Sequence, residues 1–200
     1  MELQILSHNP PPAAIIALGG QKRAGKTEGC KLLQRVFPGA LRYAFATPLK
    51  QSVQAMYGLS DDQLHSYAKD AIDFRYNCTP RDLLLRCGDE ARAQHPKLFV
   101  NRFLEFYEAH KYETSVILVE DWRLPIEGEA LWALGAHLIL VYGETNDNNE
   151  TNDNPSHPTE DSETLRKAFE GRASIVYNNK SSRKQYLMDL LEAIPLELTQ

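Results

Sequence analysis

The chain has 200 residues, 42% apolar and 24% charged, with 22 basic against 27 acidic residues and a net charge of -5. This fits one globular domain and excludes a wholly disordered chain, a collagen-like repeat and a disulfide scaffold; the acidic balance argues against a protein that tracks a nucleic-acid backbone. No apolar run nears the roughly 20 residues of a membrane helix, MELQILSHNPPPAA lacks the regions of a secretion signal, and three cysteines (Cys30, Cys78, Cys87) without a CxxC pair suit a reducing compartment, so a cytoplasmic protein with no membrane or nucleic-acid partner is expected.

Residues 1–12 end in Pro10-Pro11-Pro12 and form a leader, since three prolines continue neither helix nor sheet. Ala13 to Leu18 is a short continuous apolar run, the pattern of a strand buried on both faces. Glycine-rich sequence follows, then a helical stretch around Cys30–Phe37 that Pro38-Gly39 stops. Leu41–Ala46 reads as a second strand. Thr47-Pro48 predicts a helix start, with Thr47 as N-cap and proline in the first turn. Thr79-Pro80 repeats that device, with Asp82 in the first turn, where its charge suits the helix dipole. Val116–Val119 is a third strand, delivering Glu120-Asp121 at its end. Pro125–Leu134 reads as a helix closed by Gly135. His137–Tyr142 and Ser174–Tyr177 are further strands, and Gln185–Ala193 a last helix.

Strands alternating with helices predict a three-layer α/β domain with a mainly parallel, five-stranded sheet. One segment breaks the pattern: residues 144–154 read ETNDN-N-ETNDN, with no apolar residue to bury, and predict an acidic surface loop. His157 stands alone in a polar loop without partners at metal-ligand spacing.

Gly20-Gln21-Lys22-Arg23-Ala24-Gly25-Lys26-Thr27 matches GxxxxGK[ST] between a predicted strand and a predicted helix. The glycines let successive backbone N–H groups curl around phosphate oxygens, and the following helix adds its positive N-terminal end. Lys26 would bring a point charge to the β- and γ-phosphates and the Thr27 hydroxyl would bind Mg²⁺. The bland alternative is a glycine-rich turn with an incidental lysine.

Asp121, at the carboxyl end of an apolar strand, lies where α/β sheets bind ligands, and can share the Mg²⁺ shell or orient an acceptor. Arg123 is two residues on and faces the same way in extended chain; Glu127 falls in the first turn of the next helix, and an Arg123–Glu127 ion pair is the rival reading. If the helix from Thr79 runs to Ala93, Arg81, Gly88 and Arg92 share one face, while Leu83, Leu84, Cys87 and Ala91 form a buried stripe. Arg81 and Arg92 would then lie about 16 Å apart, so either they serve different groups or the helix breaks at Gly88. The chemistry that fits these residues is phosphoryl transfer by positioning and charge neutralisation.

These residues resemble the bacteriophage-type deoxynucleoside monophosphate kinases, within the wider P-loop nucleoside-monophosphate-kinase fold. The resemblance covers most of the chain: GGQKRAGKT at the loop, YAFATPLK at 43–50, MYGLSDDQL at 56–64, Lys69 with Asp73, TPRDLLLRCGDEAR at 79–92 and VEDWRLPIE at 119–127. A weaker echo runs through Ser156-His157-Pro158-Thr159-Glu160 and Ile175-Val176-Tyr177-Asn178-Asn179. It implies one kinase domain: a strand-helix-strand around the loop (13–46), a helical acceptor-binding region (47–112), core strands (113–142), a lid (143–172), and a last strand and helix (173–200). It implies ATP and Mg²⁺ as donor, held by Lys26 and Thr27, and a nucleoside monophosphate as acceptor. Asp121, Arg123 and Glu127, as D-x-R-x-x-x-E, would line the reaction centre, and Arg81 and Arg92 would contact the acceptor. Assembly as a homodimer is left open.

There are departures. Thr27 stands where the family often has an acidic residue, and Thr47 where it has Asp. Gly143-Glu144 and the acidic repeat occupy the place of a basic lid residue, a role Arg166 or Arg172 could fill. Phosphomevalonate kinases of the animal type share much of the pattern and are the alternative. Tyr43, Phe45, Phe74, Tyr76 and Trp122 are candidates to stack on a nucleobase, which tips the reading towards a nucleotide, although such rings serve equally in a core. A catalytically weak nucleotide sensor is a third reading. A GTPase lacks support, because Asn179-Lys180 is followed by Ser181-Ser182 instead of NKxD.

Overall fold

The computed structural model describes residues 10–143, 162–179, 181–195 and 198. The chain divides into two compact units, one of residues 1–43 and 106–200, the other of residues 44–105.

The first unit is built on a parallel sheet. Among the described residues it has five strands: β1 (Ala14–Gly20), β2 (Leu41–Tyr43), β3 (Val116–Trp122), β4 (His137–Gly143) and β5 (Ala173–Asn178), in the order β2-β3-β1-β4-β5. All the pairings are parallel. The continuous apolar runs have the reason expected for them, since β1, β3 and β4 are buried on both faces. Alternate residues serve the two layers. Ile16, Leu18, Val116, Leu118, Ile139, Val141 and Val176 pack in one cluster with Cys30, Leu32 and Leu33 of α1 (Lys26–Val36) and Tyr186 and Leu190 of α8 (Arg183–Glu192). On the other face, α6 (Pro125–Ala133) lies against β4, and α7 (Ser162–Ala168) against β1. Gly135, at φ 75°, ends the α6 turn as expected.

Between β1 and β3 the register shifts at Ala17/Gly19, and there the Trp122 indole Nε1 donates to the Ala17 carbonyl at 3.2 Å. A Cβ on Gly19 would lie 2.5 Å from that ring, and one on Gly128 would lie 2.4 Å from Phe169 and 2.7 Å from Trp122. Both glycines make room for the Trp122–Phe169 pair, whose ring centroids are 5.0 Å apart, edge to face.

The second unit is helical: α2 (Thr47–Tyr57), α3 (Asp61–His65), a 3-10 turn (Tyr67–Asp70), α4 (Pro80–Gln94) and the start of α5 (Leu98–His110). Val53, Leu59, Leu64 and Leu83 form its small core, with Leu49, Leu84 and Cys87 against them. Thr79 caps α4 in a full capping box: its hydroxyl accepts from the Asp82 N–H, and the Asp82 carboxylate accepts from the Thr79 N–H. The α4 helix does not break at Gly88. A Cβ there would lie 3.0 Å from Leu49 Cδ2 and 3.1 Å from the Arg92 guanidinium, so the glycine admits α2.

Two local expectations change. Residues 44–46 form a turn, so β2 is three residues long. Thr47 is the first residue of α2 and not its cap, because Ala46 already has helical φ/ψ. A helix, α7, stands within the segment expected as a lid. The ETNDN repeat and His157 lie outside the described residues. No described helix is long and apolar enough to cross a membrane.

Candidate active site

The loop from Gly20 to Thr27 leaves the carboxyl end of β1, the strand between β3 and β4, and opens α1. Chain order reverses direction across the sheet at β1, which is where parallel α/β sheets leave a crevice for ligands. The loop needs its glycines. Gly20 has φ 99° and Gly25 φ 95°, a region costly for residues with a side chain. Arg23 adopts φ 61° without being glycine, a local strain that the surroundings must hold.

Those surroundings are specific. The Gln21 N–H donates to the Val141 carbonyl at 3.0 Å, and the Gln21 side-chain oxygen accepts from the Gly143 N–H at 2.9 Å. Asn178 Nδ2 donates to the Ala24 carbonyl at 2.9 Å, and the Tyr186 hydroxyl to the Gly25 carbonyl at 3.2 Å. Ala24 is buried in the core, and the exposed Thr27 sits in the first turn of α1. Lys22 is half-buried beside them.

Lys26 is 7% exposed. Its ammonium donates to the carbonyls of Gly20 at 3.0 Å and Gln21 at 2.7 Å, and lies 3.7 Å from Asp121 Oδ1. Burial lowers its pKa, Asp121 opposes that shift, and neighbouring Arg123 adds to it. Any anion entering the loop would stabilise the charged form.

The two carboxylates that end β3 part company where its register with β1 shifts. Glu120 is taken by Arg42 of β2, through Nε at 2.6 Å and a second guanidinium nitrogen at 2.5 Å. Asp121 turns to the loop. Its Oδ1 faces Lys26, and its Oδ2 accepts from Arg123 Nε at 2.8 Å and from a terminal nitrogen at 2.6 Å. Glu127 is buried, and its Oε2 accepts the backbone N–H groups of Arg123 (2.7 Å) and Leu124 (3.1 Å). It therefore pins the β3–α6 turn that carries Arg123.

One candidate must be corrected. Trp122, expected to stack on an acceptor base, has no solvent exposure and lies against Gly19, Gly128 and Phe169. The register shift between Val119 and Trp122 carries its ring onto Gly128 and Phe169, in the core. Phe45 is likewise buried, with its ring 5.4 Å from Phe103, and Tyr43 packs on Phe106 at 4.9 Å. Phe74, 92% exposed, and Tyr76, whose hydroxyl donates to the Tyr57 carbonyl, are the remaining rings of that set.

Arg81 and Arg92 belong to the second unit. Arg81 pairs with Asp70 at the end of the 3-10 turn. Arg92 pairs with Asp89 at 3.2 Å and lies 5.5 Å over the Phe99 ring. Because α4 is continuous between them, they stand about three turns apart on one helix. Of the two lid candidates, Arg166 pairs with Glu163 at 2.8 Å, and Arg172 pairs with Glu129 at 2.8 Å and lies 4.5 Å over Phe169. Asn178 and Tyr186 received no role from the sequence. The available signal was Asn178 itself, a polar residue closing an apolar strand at the ligand-binding edge.

A parallel β2-β3-β1-β4-β5 sheet, layered by helices and sending a GxxxxGK[ST] loop out of its central strand, defines the three-layer P-loop kinase fold. No family model matches the chain. The chain is similar to a protein of Acanthamoeba polyphaga mimivirus named "Putative deoxynucleotide monophosphate kinase", 26% identical over 187 residues, covering 86% of this chain and 92% of that protein. Among solved structures it is similar to TT1252 from Thermus thermophilus, with a TM-score of 0.51, 19% identity and coverage of 94% of this chain and 100% of that one. Dephospho-CoA kinase from Campylobacter jejuni aligns with a TM-score of 0.49 at 14% identity, over 89% of this chain and 94% of that one. The resemblance to deoxynucleoside monophosphate kinases read from the motifs is thus met by an independent sequence relative.

Proposed function

We propose that this chain transfers the γ-phosphoryl group of ATP to a nucleoside or deoxynucleoside 5'-monophosphate, releasing ADP and the nucleoside diphosphate. The observation that carries the reading is the Lys26–Asp121–Arg123 array at the mouth of the glycine loop. The name of the mimivirus relative supports the choice of a nucleotide acceptor.

The residues fit Mg·ATP. Gly20 and Gly25 form a cradle whose backbone has no room for a Cβ: one on Gly20 would lie 2.6 Å from the Val141 carbonyl, and one on Gly25 would lie 2.4 Å from Asn178. Thr27 and Asp121 supply the hard oxygen ligands Mg²⁺ prefers. When bound, that ion would neutralise charge on the β- and γ-phosphates.

In this reading Lys26 leaves the carbonyls of Gly20 and Gln21 for the phosphates, and the loop N–H groups hold the β-phosphate. Arg123, oriented by Asp121 and by the Glu127-pinned turn, stabilises charge between donor and acceptor. An oxygen of the acceptor's phosphate forms a bond to the γ-phosphorus as the bond from that phosphorus to the bridging oxygen breaks, and ADP carries away the electron pair.

The test is ADP release from Mg·ATP by the purified protein with the four deoxynucleoside monophosphates, the ribonucleoside set and phosphomevalonate. Turnover that depends on one or more nucleotides is the expected result and names the acceptor. Turnover with phosphomevalonate alone overturns the acceptor assignment, and silence across the panel with ATP still bound points to a sensor. Burial of Trp122 and Phe45 removes two of the rings that favoured a base, so the acceptor panel separates the nucleotide from phosphomevalonate.

A further inference from the structure

We infer that Asn178 and Tyr186 are positioning residues for the phosphate loop, turning its amides towards the bound phosphates from outside the GxxxxGK[ST] motif. The inference rests on the reading above only in taking this loop to bind phosphate.

The argument begins with the peptide bond. In a trans peptide the carbonyl of one residue and the N–H of the next point in opposite directions, and no described peptide bond of the chain is cis. Asn178, at the end of β5, donates to the Ala24 carbonyl at 2.9 Å, so the Gly25 N–H points away from Asn178. Tyr186, in the first turn of α8, donates to the Gly25 carbonyl at 3.2 Å, so the Lys26 N–H points away from Tyr186. The Gly25 carbonyl also accepts from the Gly29 N–H at 2.8 Å. Two successive amides at the start of α1 are therefore aimed by side chains that lie more than 150 residues further along the chain.

The glycines bear this out. A Cβ on Gly25 would lie 2.4 Å from Asn178 Nδ2, and one on Gly29 would lie 2.7 Å from the Tyr186 hydroxyl. Each glycine leaves the clearance that one of the two donors occupies. Both donor residues are buried, Asn178 at 7% exposure and Tyr186 at 3%. The neighbouring Arg23, at φ 61°, is the strained residue that such a brace must hold.

A merely structural role would lower stability and leave phosphate affinity alone. The experiment therefore measures both, on wild type, Asn178→Ala and Tyr186→Phe. The probe is inorganic tripolyphosphate with Mg²⁺, titrated by calorimetry, beside ligand-free thermal melting and the separate KM values for ATP and for the acceptor found in the panel. Each variant is expected to bind tripolyphosphate about tenfold more weakly, the loss of roughly one well-placed hydrogen bond. KM for ATP should rise while KM for the acceptor holds. Tyr186→Phe keeps the buried ring and removes one hydroxyl, so it folds even if Asn178→Ala does not. Unchanged tripolyphosphate affinity in Tyr186→Phe, with a lowered melting temperature, overturns the inference and leaves the kinase reading standing. Weakened tripolyphosphate binding in a protein that transfers no phosphoryl group supports the inference while the kinase reading falls. A wild type that does not bind tripolyphosphate overturns the inference.

Discussion

Lys26 and Asp121 are the residues on which turnover is expected to depend. Lys26→Ala removes the buried cation that the proposed function sets against the transferring phosphate, and should lower the rate of acceptor-dependent ADP release by about a hundredfold or more, the scale seen when one preorganised charge-stabilising donor is lost. A mutant with wild-type turnover would overturn its assignment. Asp121→Asn should cost a similar factor, because it weakens the hold on Arg123 and removes a hard ligand for Mg²⁺; raising Mg²⁺ should recover part of that loss, as a titration of rate against Mg²⁺ would show. Both residues were legible in the sequence, the lysine from its motif and the aspartate from its place at the end of an apolar strand. Glu120 was equally acidic and equally placed by sequence. Only the Arg42 guanidinium, brought alongside by β2–β3 pairing, separates the two.

At the scale of elements, the second unit leans on caps and ion pairs because its apolar core is small. Thr79→Ala breaks the capping box of α4 and should cost about 1 kcal/mol in urea unfolding. Asp73 is largely buried, accepts from Gln63 and holds Arg75 through two guanidinium contacts of 2.9 and 2.6 Å. The Arg75 guanidinium keeps the Asp73 carboxyl well below the usual carboxylate range. A carboxyl with its pKa depressed in the fold stabilises the protein above its unfolded pKa of about 3.9 and loses that contribution as pH falls further. Asp73→Asn should therefore lower stability at pH 7 and flatten the acid limb of a stability–pH curve below about pH 4. The caps also show how far sequence goes. Thr79 and Thr47 each precede a proline and look alike. Thr79 caps because its own backbone is extended at the helix start, whereas Ala46 before Thr47 has already turned helical. That difference is tertiary, and no residue type announces it. The continuous strands β1, β3 and β4 were legible because burial on both faces leaves one pattern only. β2 ends at Tyr43 although Ala44-Phe45-Ala46 is apolar, because Phe45 packs on Phe103 instead of joining the sheet.

At the scale of the whole molecule, the loop near the start of the sequence is held by elements from its second half. Gln21 is tied to the end of β4, and the carbonyls of Ala24 and Gly25 are tied to β5 and α8. Sequence reading finds the motif because it is contiguous and misses the brace because its parts are not. On the far face of the sheet, Gly128 gives the clearance for Trp122 and Phe169. Gly128→Ala should force those rings apart and destabilise the protein by about 1–3 kcal/mol, measured by urea unfolding. Phosphate affinity should hold in the fraction that remains folded.

The chain has two tryptophans, and they sit in opposite surroundings. Trp122 is sealed beneath the strand that feeds the loop, while Trp132 is 44% exposed and lies near the Arg172 guanidinium. The protein therefore carries a built-in optical probe of its own centre. An aqueous quencher such as iodide should extinguish only the red-shifted emission of Trp132. The blue-shifted remainder belongs to Trp122, and its shift to longer wavelength would report the loss of the central sheet without any attached label.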